Sequence, residues 1–406
     1  MKSRIDLYRH ISLQIGALKL FGIWFYIPFR MKNVRFWISV LTRIILGITV
    51  FVIPTGAQLV YVIRLIISGH AEIQEVAGIM NLVLTELLAS LRLLDLRLRR
   101  DLLTKLSDEL MNEEFQCENK AQRVILEKAV EFSRKLFIVL LMFIHVVVVP
   151  GINKFETLPL KMDLIFIDVN DEKYFDYICA FQILYKPMML TTFVALQTLP
   201  WAAMSFSQLD VLIYNFENMK ELVKATAAER NCDQNEAFKE VFKRCILHHC
   251  AILRFVTSIQ DAFSGQLSST LFISAGIVGT TGVQIFSIES PLQNWTEVVW
   301  VLAYLATMTC NLFIDCYFGN TVTVKSMHIA TVVYSCPWIE LPTHMKKNLV
   351  LFIAKTQRPL VITAAKLVPV SLETFTKVNI TYLLRTQNIY NLKLFLCEAL
   401  ILNNFE

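Results

Sequence analysis

The sequence has little charge. Of its 406 residues, 18% are Asp, Glu, Lys or Arg, whereas a soluble globular domain carries roughly 25%. Hydrophobic residues make up 55%, and the mean hydropathy is +0.51. A soluble protein needs charged side chains to cover its exterior, but a protein in lipid is apolar on the outside as well. The shortage of charge therefore argues against a soluble enzyme, a disordered chain or a nucleic-acid-binding protein, and it indicates an integral membrane protein.

Motifs of enzymes and metal sites are also missing. The sequence has no phosphate-binding loop, dinucleotide fingerprint, nucleophile elbow or zinc-protease motif, so we expect neither an enzyme nor a cofactor. The nine cysteines are irregularly spaced, which argues against a disulfide framework. The densest group of potential ligands, Cys245, His248, His249 and Cys250, places only two or three of them on one helix face. Structural zinc sites usually have four ligands, and we interpret this group as packing residues, with no metal.

Long apolar runs dominate what is present. Six of them are close to the ~20 residues that a spanning helix needs. They cover residues 37–66, 74–95, 136–152, 178–204, 264–288 and 297–319. A seventh, 346–365, contains Lys355 and Arg358 and reaches Pro359 before an apolar run resumes at 368–386, so we predict a broken helix whose second half enters the membrane. The predicted fold is an all-α membrane protein with seven transmembrane helices.

The charged stretches between the spans predict further helices. Residues 97–135 and 205–260 have amphipathic, helical periodicity, as at Leu102, Leu106 and Leu110. We expect the spanning helices to continue into the cytoplasm and to pack there as an anchor bundle. The apolar run 18–28 follows a basic N-terminus without a small-residue cleavage site, and it is too short to span. We predict a short amphipathic or re-entrant segment there.

Orientation follows from the distribution of Lys and Arg, because loops rich in them stay in the cytoplasm. Segments 1–36, 96–135, 205–260 and 321–347 carry 7, 9, 7 and 3 of them, whereas segments 65–73, 153–176 and 286–296 carry 0, 3 and 0. We predict a cytoplasmic N-terminus and, after seven spans, an extracellular C-terminus. The triplet Asn294-Trp295-Thr296 then lies outside, where Asn294 is a candidate glycosylation site, although such triplets are also common by chance.

Two ionisable residues, Glu86 and Lys186, lie near the middle of predicted spans, where charge is costly. Glu86 is in the second span and Lys186 is in the fourth, just before Pro187. A transporter would use such a pair for ion coupling, but the sequence has no internal repeat. A structural pair, or a lysine that extends towards water, is the alternative that we favour.

The outer halves of spans two to six are rich in aromatic, thioether and weakly polar side chains. Such side chains can line an adaptable apolar ligand pocket, although helix-packing residues have the same composition. The candidate pocket residues are Met80, Phe143, His145, Tyr185, Met188, Met189, Thr192, Phe272, Thr281, Gln284, Trp300 and Tyr304.

The C-terminal third resembles the insect odorant receptor family. The resemblance rests on Asp315-Cys-Tyr-Phe-Gly319-Asn320, on Ser326, Ala330, Tyr334 and Trp338 at the following positions, and on two later stretches. These are Ala354-Lys-Thr-Gln357-Arg358-Pro359-Leu360 and Lys366-Leu-Val-Pro369-Val-Ser-Leu-Glu-Thr-Phe375. His249 to Phe263 and Leu18 to Trp24 resemble stretches of the same family, so the resemblance extends over essentially the whole chain. One departure is that Leu383-Leu384-Arg385 comes about five residues too soon after Phe375 and is followed by 21 further residues.

The resemblance implies an odour-specific subunit of a tetrameric, ligand-gated, non-selective cation channel. Its partners would be the olfactory co-receptor Orco, a volatile small molecule and membrane lipid, with no nucleic acid, and its location the plasma membrane of olfactory dendrites. The implied pore residues are Leu383, Leu384 and Gln387, and the implied anchor residues are Tyr334 and Trp338. We therefore divide the chain into a cytoplasmic N-terminus (1–36), six helices with an outer-half pocket (37–319), the anchor with the first half of helix seven (320–367), the pore-lining half (368–386) and an atypical apolar tail (387–406).

Three rival functions have weaker support. A gustatory receptor of the same superfamily usually has a Thr-Tyr…Gln-Phe signature in its last helix, which we do not find. A G-protein-coupled receptor has the opposite orientation and an Asp-Arg-Tyr motif after span three, which is missing here. A secondary transporter rests mainly on Glu86 and Lys186.

Overall fold

The computed structural model describes residues 12–20, 47, 52–69, 72–148, 161–164, 171–197, 199–288, 292–339, 341–382, 384, 385 and 387. Most of the predicted segment 18–28, most of residues 37–51 and the tail beyond residue 387 lie outside this described part of the chain.

The described residues are mainly helical, as the apolar runs and amphipathic stretches predict. One small hairpin lies between two of the later helices. The helices are α1 (Ser12–Leu20), α2 (Ile53–Ile67), α3 (Ile73–Leu98), α4 (Arg100–Leu110), α5 (Lys120–Val148), α6 (Glu172–Ala195), α7 (Leu199–Glu217), α8 (Met219–Arg230), α9 (Gln234–Phe286), α10 (Trp295–Tyr334), α11 (Thr343–Thr356) and α12 (372–382).

Two very long helices form the frame of the molecule. The 53 residues of α9 and the 40 residues of α10 correspond to rods of about 80 Å and 60 Å at 1.5 Å per residue. A membrane's hydrocarbon core is only about 30 Å thick, so both helices are longer than a span requires. This length agrees with the predicted continuation of the spanning helices beyond the membrane. The helix α9 packs against α3, α7, α8 and α10 along its length.

Two large hydrophobic clusters divide the core along these rods. One joins α3, α6, α9 and α10 around Leu88, Phe193 and Ile277. The other joins α4, α5, α7 and α9 around Leu106 and Phe255, within the stretches predicted to be cytoplasmic. The same second cluster continues as far as Val370, just before α12.

The predicted fourth span, 178–204, is not one continuous helix. The helix α6 ends at Ala195, and α7 begins separately at Leu199. Pro200 is the second residue of α7, in the first turn of a helix, where its missing backbone N–H leaves no intrahelical hydrogen bond unmade. The helix α7 then runs on to Glu217, into the stretch predicted to be cytoplasmic.

The predicted break in the seventh helix is present and contains a hairpin. The helix α11 ends at Thr356, and the strands β1 (Thr363–Ala364) and β2 (Val368–Pro369) pair antiparallel before α12 begins. The chain reverses at Ala365 and Lys366, whose φ angles are 51° and 59°. Both residues therefore occupy the left-handed region, which residues other than Gly, Asn and Asp rarely adopt.

Within the described residues, four helices are by length and composition able to cross a membrane. These are α3, α6 from Lys173 onwards, α9 and α10, while α2 is apolar but shorter. The described part of α2 begins within the predicted first span, 37–66.

Candidate functional site

A polar network joins the predicted outer ends of α3, α9 and α10, with Asn81 at its centre. The side-chain nitrogen Nδ2 of Asn81 donates to Gln284 Oε1 at 3.0 Å. Its side-chain oxygen Oδ1 accepts from Thr281 Oγ1 at 3.2 Å and from Thr280 Oγ1. The Tyr304 hydroxyl donates to the backbone carbonyl oxygen of Asn81 at 2.8 Å. Apart from the half-buried Thr280 these groups are almost completely buried, so their mutual hydrogen bonds offset the cost of removing them from water.

Tyr304 connects this network to an apolar cluster. Its ring is buried with Tyr185 and Met189 of α6, and Met188 packs against the same cluster. Thr192, one turn beyond Met188, is also buried and donates to the Met188 carbonyl oxygen at 2.8 Å. The structure thus brings together seven of the twelve candidate pocket residues in the network and the cluster. They are Tyr185, Met188, Met189, Thr192, Thr281, Gln284 and Tyr304.

Aromatic pairs extend this cluster at both sides. The ring of Trp300 stacks on Tyr304 with centroids 5.9 Å apart, and Phe181 stacks on Tyr185 at 5.7 Å. Trp300 is partly buried, one turn nearer than Tyr304 to the start of α10. It is therefore the eighth candidate residue at this site.

Four other candidate residues lie apart from the cluster. Met80 packs into a small separate cluster with Val62 of α2. His145 is half-buried and its ring nitrogens lie 2.7 Å from the Leu141 carbonyl oxygen and 3.4 Å from Thr191 Oγ1. Phe143 and Phe272 are 42% and 73% exposed on the surface of the chain. The helical period places these last two side chains on outward faces, which the residue type alone does not indicate.

The buried carboxylate of Glu86 is satisfied by side chains of α2. Thr55 Oγ1 donates to it at 2.9 Å and Gln58 Nε2 donates at 3.0 Å. Within the described ranges, no ion pair shorter than 4 Å joins Glu86 to Lys186. These bonds tie α2 to α3, and we keep the interpretation of Glu86 as a structural residue.

A buried ion pair lies deeper in the predicted membrane region. Arg92 of α3 is fully buried, and its Nη2 is 3.7 Å from Asp315 Oδ2 of α10. The same guanidinium donates to Thr270 Oγ1 of α9 at 2.9 Å and lies 4.7 Å from the ring centroid of Phe193. The Arg92 side chain of α3 thus contacts three other helices, α6, α9 and α10. Neither Arg92 nor Asn81 was among the residues proposed from the sequence, although a polar residue inside an apolar run is the signal that identifies both.

The residues proposed for the pore, anchor and glycan occupy exposed or peripheral positions. Leu384 and Gln387 are exposed, and Leu383 lies outside the described residues. Trp338 donates from Nε1 to the Tyr334 carbonyl oxygen at 2.9 Å, and the ring of Tyr334 is exposed. Asn294 is exposed in the turn that precedes α10.

The histidine pair in the predicted cytoplasmic part of α9 is buried. His248 Nε2 lies 2.9 Å from Gln208 Oε1, and its ring packs edge-on against Phe115 at 5.9 Å. Burial lowers the pKa of His248 and also that of His249 to about 4, and the same effect raises the pKa of the Cys245 thiol to about 12. Across the residues that the structure covers, no three such side chains converge on a possible metal ion.

His248 lines a cavity of about 260 Å³. Its walls come from α5, α7, α8, α9 and the short 3-10 turn Glu113–Phe115. Glu113, Glu114 and Glu118 are among its lining residues, and Phe115 and Val241 contribute apolar surface. The cavity is separate from the cluster around Tyr304, because none of the candidate pocket residues lines it.

Comparison with solved structures identifies the fold. The chain superposes on the insect olfactory receptor OR5 from Machilis hrabei with a TM-score of 0.72, covering 94% of this chain and 98% of that one. The OR5 complex with eugenol gives a TM-score of 0.71. Sequence identity is 15% in both cases, so the likeness concerns the fold alone. The fold is the all-α membrane fold with seven transmembrane helices.

Comparison with sequences identifies the family. Odorant receptor 10 of Aedes albopictus is 28% identical over 151 residues, covering 36% of this chain and 39% of the relative. Odorant receptor 2a of Drosophila melanogaster is 27% identical over 145 residues, covering 36% of each chain. The matched region therefore spans less than half the length of these curated relatives. A family model described as 7tm odorant receptor matches residues 72–382, well over half of the chain. This chain belongs to the 7tm odorant receptor family, a family of membrane receptors rather than enzymes.

Proposed function

We propose that the protein is the ligand-specific subunit of a heterotetrameric, odorant-gated, non-selective cation channel. The observation that supports this proposal is the family match over residues 72–382, which includes the helices that carry Asn81, Tyr185, Met188 and Tyr304. Its partner would be the olfactory co-receptor Orco. The relatives named above are called odorant receptors, and one solved neighbour holds eugenol, a volatile phenol.

The ligand site of this channel lies in the predicted outer half, in and around the cluster of Tyr185, Met188 and Tyr304. Aromatic and thioether side chains gain dispersion contacts with an apolar volatile and adapt to its shape. The Asn81 network holds α3, α9 and α10 together beside this cluster. In this proposal the apolar side chains provide the affinity for the volatile, and the Asn81 network positions α3, α9 and α10.

Opening requires that the volatile bind the open state more tightly than the closed state, because only differential affinity shifts the equilibrium. In the proposed channel α12 and the residues that follow it line the pore, and apolar side chains at Leu383 and Leu384 block ions by dewetting in the closed state. The N-terminus is cytoplasmic and the C-terminus is extracellular in this arrangement, as the Lys and Arg distribution predicts.

The first experiment is whole-cell recording from cells that express this chain with and without the co-receptor. The probes are eugenol and a panel of C6–C10 esters, ketones and alcohols. We expect an inward cation current that appears only when both chains are present and a volatile is applied. Absence of current for all probes, with both chains detected at the cell surface, would overturn the channel proposal.

A second experiment tests the location of the ligand site. Tyr304→Phe and Met188→Ala alter the buried cluster, so each should change the rank order of active volatiles. Phe272→Ala is the matched control because this side chain is 73% exposed on α9. Unchanged rank order in both cluster variants, together with a changed order in the control, would place the ligand elsewhere.

A further inference from the structure

Three stretches of sequence that are far apart in the chain meet at the hairpin between α11 and α12. We name residues 360–370 the junction hairpin. One side of it contacts α9 at Gln260 and Asp261, and the other side contacts α10 at Gly319, Thr323 and Ser326. The hairpin is therefore held between the same two helices that carry Thr281 and Tyr304 at their predicted outer ends.

Gln260 binds the hairpin as a neighbouring strand would. Its Oε1 accepts from the Thr363 N–H at 2.7 Å, and its Nε2 donates to the Thr363 carbonyl oxygen at 2.6 Å. The same Nε2 lies 2.9 Å from Thr363 Oγ1. A two-residue strand has few hydrogen bonds of its own, so one side-chain amide satisfies both backbone groups of its first residue.

The junction hairpin also contacts α10. Ser326 Oγ accepts from the Leu360 N–H at 2.9 Å, and Thr323 Oγ1 donates to the Leu360 carbonyl oxygen at 2.8 Å. Gly319 has no space for a side chain, because a Cβ built there would lie 2.3 Å from the Val370 carbonyl oxygen. Both ends of the junction hairpin are thus fixed to α10, while its first strand is fixed to α9.

A single residue separates the end of the junction hairpin from the start of α12. Ser371 caps the helix, since its Oγ accepts from the Thr374 N–H at 3.3 Å. One turn later the ring of Phe375 packs edge-on against Phe313 of α10, with centroids 5.4 Å apart. A displacement of the junction hairpin therefore moves the first turn of α12 with it.

We infer that Gln260 is a positioning residue that couples α9 to α12 through the junction hairpin. This inference rests on the proposed function, in which α9 borders the ligand site and α12 leads into the pore. Movement of α9 on ligand binding shifts Thr363 through two backbone hydrogen bonds and one side-chain contact. Arg92 and Asn81 hold α9 to α3, whereas Gln260 transmits its position to the last helix.

The first test measures hydrogen–deuterium exchange in the purified chain, and needs no odorant. In Gln260→Ala, exchange should be about tenfold faster across residues 360–370 and faster in residues 372–382. Gln260→Glu retains the acceptor for the Thr363 N–H but loses the donor, so its effect should be intermediate. Thr257→Ala is the matched control, because the Thr257 hydroxyl is exposed and bonds to Leu253 within α9. Unchanged exchange in the hairpin, or a loosened hairpin with α12 unaffected, would overturn the inference.

The second test measures open probability by noise analysis, which does not depend on the number of channels. With the co-receptor present and the most effective volatile of the panel at saturation, Gln260→Ala should lower the ratio of open to closed channels roughly fivefold or more. A merely structural role would reduce surface expression and leave this ratio unchanged. If no volatile activates the unmodified channel, the proposed function fails, and the exchange experiment still decides whether Gln260 positions α12.

Discussion

The contact between Gly319 and Val370 gives a sharp prediction for Gly319→Ala. A new Cβ would lie 2.3 Å from the Val370 carbonyl oxygen and 3.2 Å from two Val370 side-chain carbons. An unstrained carbon–oxygen contact is roughly 3.3 Å, so the junction hairpin or α10 must move by about 1 Å. The atom in the way belongs to the backbone, and it cannot rotate aside as the end of a flexible side chain can.

Two opposing effects set the size of the change. Overpacking typically costs about 1–3 kcal/mol, whereas replacing Gly by Ala inside a helix gains about 1 kcal/mol from backbone entropy. Gly276→Ala in α9 is the matched control, because its Cβ would meet only Leu84 Cδ1, at 3.4 Å. We expect the control to be as stable as the unmodified protein or more stable. Because both variants share the helix gain, Gly319→Ala should be less stable than the control by the overpacking cost, about 1–3 kcal/mol.

The assay is thermal unfolding of the detergent-purified chain, followed by the loss of the monodisperse peak in size-exclusion chromatography. The midpoint of Gly319→Ala should lie below that of the unmodified protein, and the midpoint of Gly276→Ala should lie at or above it. Odorant-evoked current per surface channel should fall only in Gly319→Ala. A midpoint for Gly319→Ala at or above that of the control would refute the argument from close packing.

Three further predictions concern buried charge, pH and the turn. Replacing Asp315 by Asn leaves the Arg92 charge buried without its counter-ion and should lower the free energy of unfolding by roughly 3–5 kcal/mol. The double variant Arg92→Met, Asp315→Leu removes both charges and should recover most of that loss. The yield of monodisperse protein measures both effects. The pKa of His248 is about 4 in the folded protein and 6.5 in the unfolded chain. As the pH falls, the unfolded chain therefore binds the proton first. The free energy of unfolding should decrease by roughly 3 kcal/mol between pH 6.5 and pH 4. His248→Gln should flatten that fall in the midpoint temperature, and an unchanged slope would contradict the assignment. Lys366→Gly should raise the midpoint, because glycine adopts the 59° φ angle without strain and the exposed Lys366 ion pair contributes little; a lower midpoint would show that the turn carries no strain.

The sequence predicted the helical elements well because their signals are local. Apolar runs and amphipathic periodicity are properties of neighbouring residues, and α3, α9 and α10 follow them closely. Pro359 likewise marked the break in the last helix. The missed break between α6 and α7 was also local, since Pro200 stood inside the run from 178 to 204. The apolar composition of the run predicted one continuous span in spite of Pro200.

The candidate site was less predictable because its contacts are distant in sequence. Asn81 and Gln284 are 203 residues apart and Gln260 and Thr363 are 103 apart, and no periodicity relates such pairs. Residue type also failed to separate Tyr304, which is buried, from Phe272, which faces outwards. Only the rotation of each helix against its neighbours decides that difference.

The buried pair of Arg92 and Asp315 has a consequence for biosynthesis. Ribosomes make these residues about 220 positions apart, and at roughly 5–20 residues per second Arg92 is complete some tens of seconds before Asp315 exists. During that interval the guanidinium in the second membrane segment lacks its carboxylate, and an isolated charge in hydrocarbon is costly. The nascent chain must therefore keep this segment near water, lipid phosphate or the insertion machinery until the sixth segment arrives. Maturation of the receptor is thus expected to be a late, concerted event, in which one arginine delays release of the first helices into lipid until most of the protein has been made.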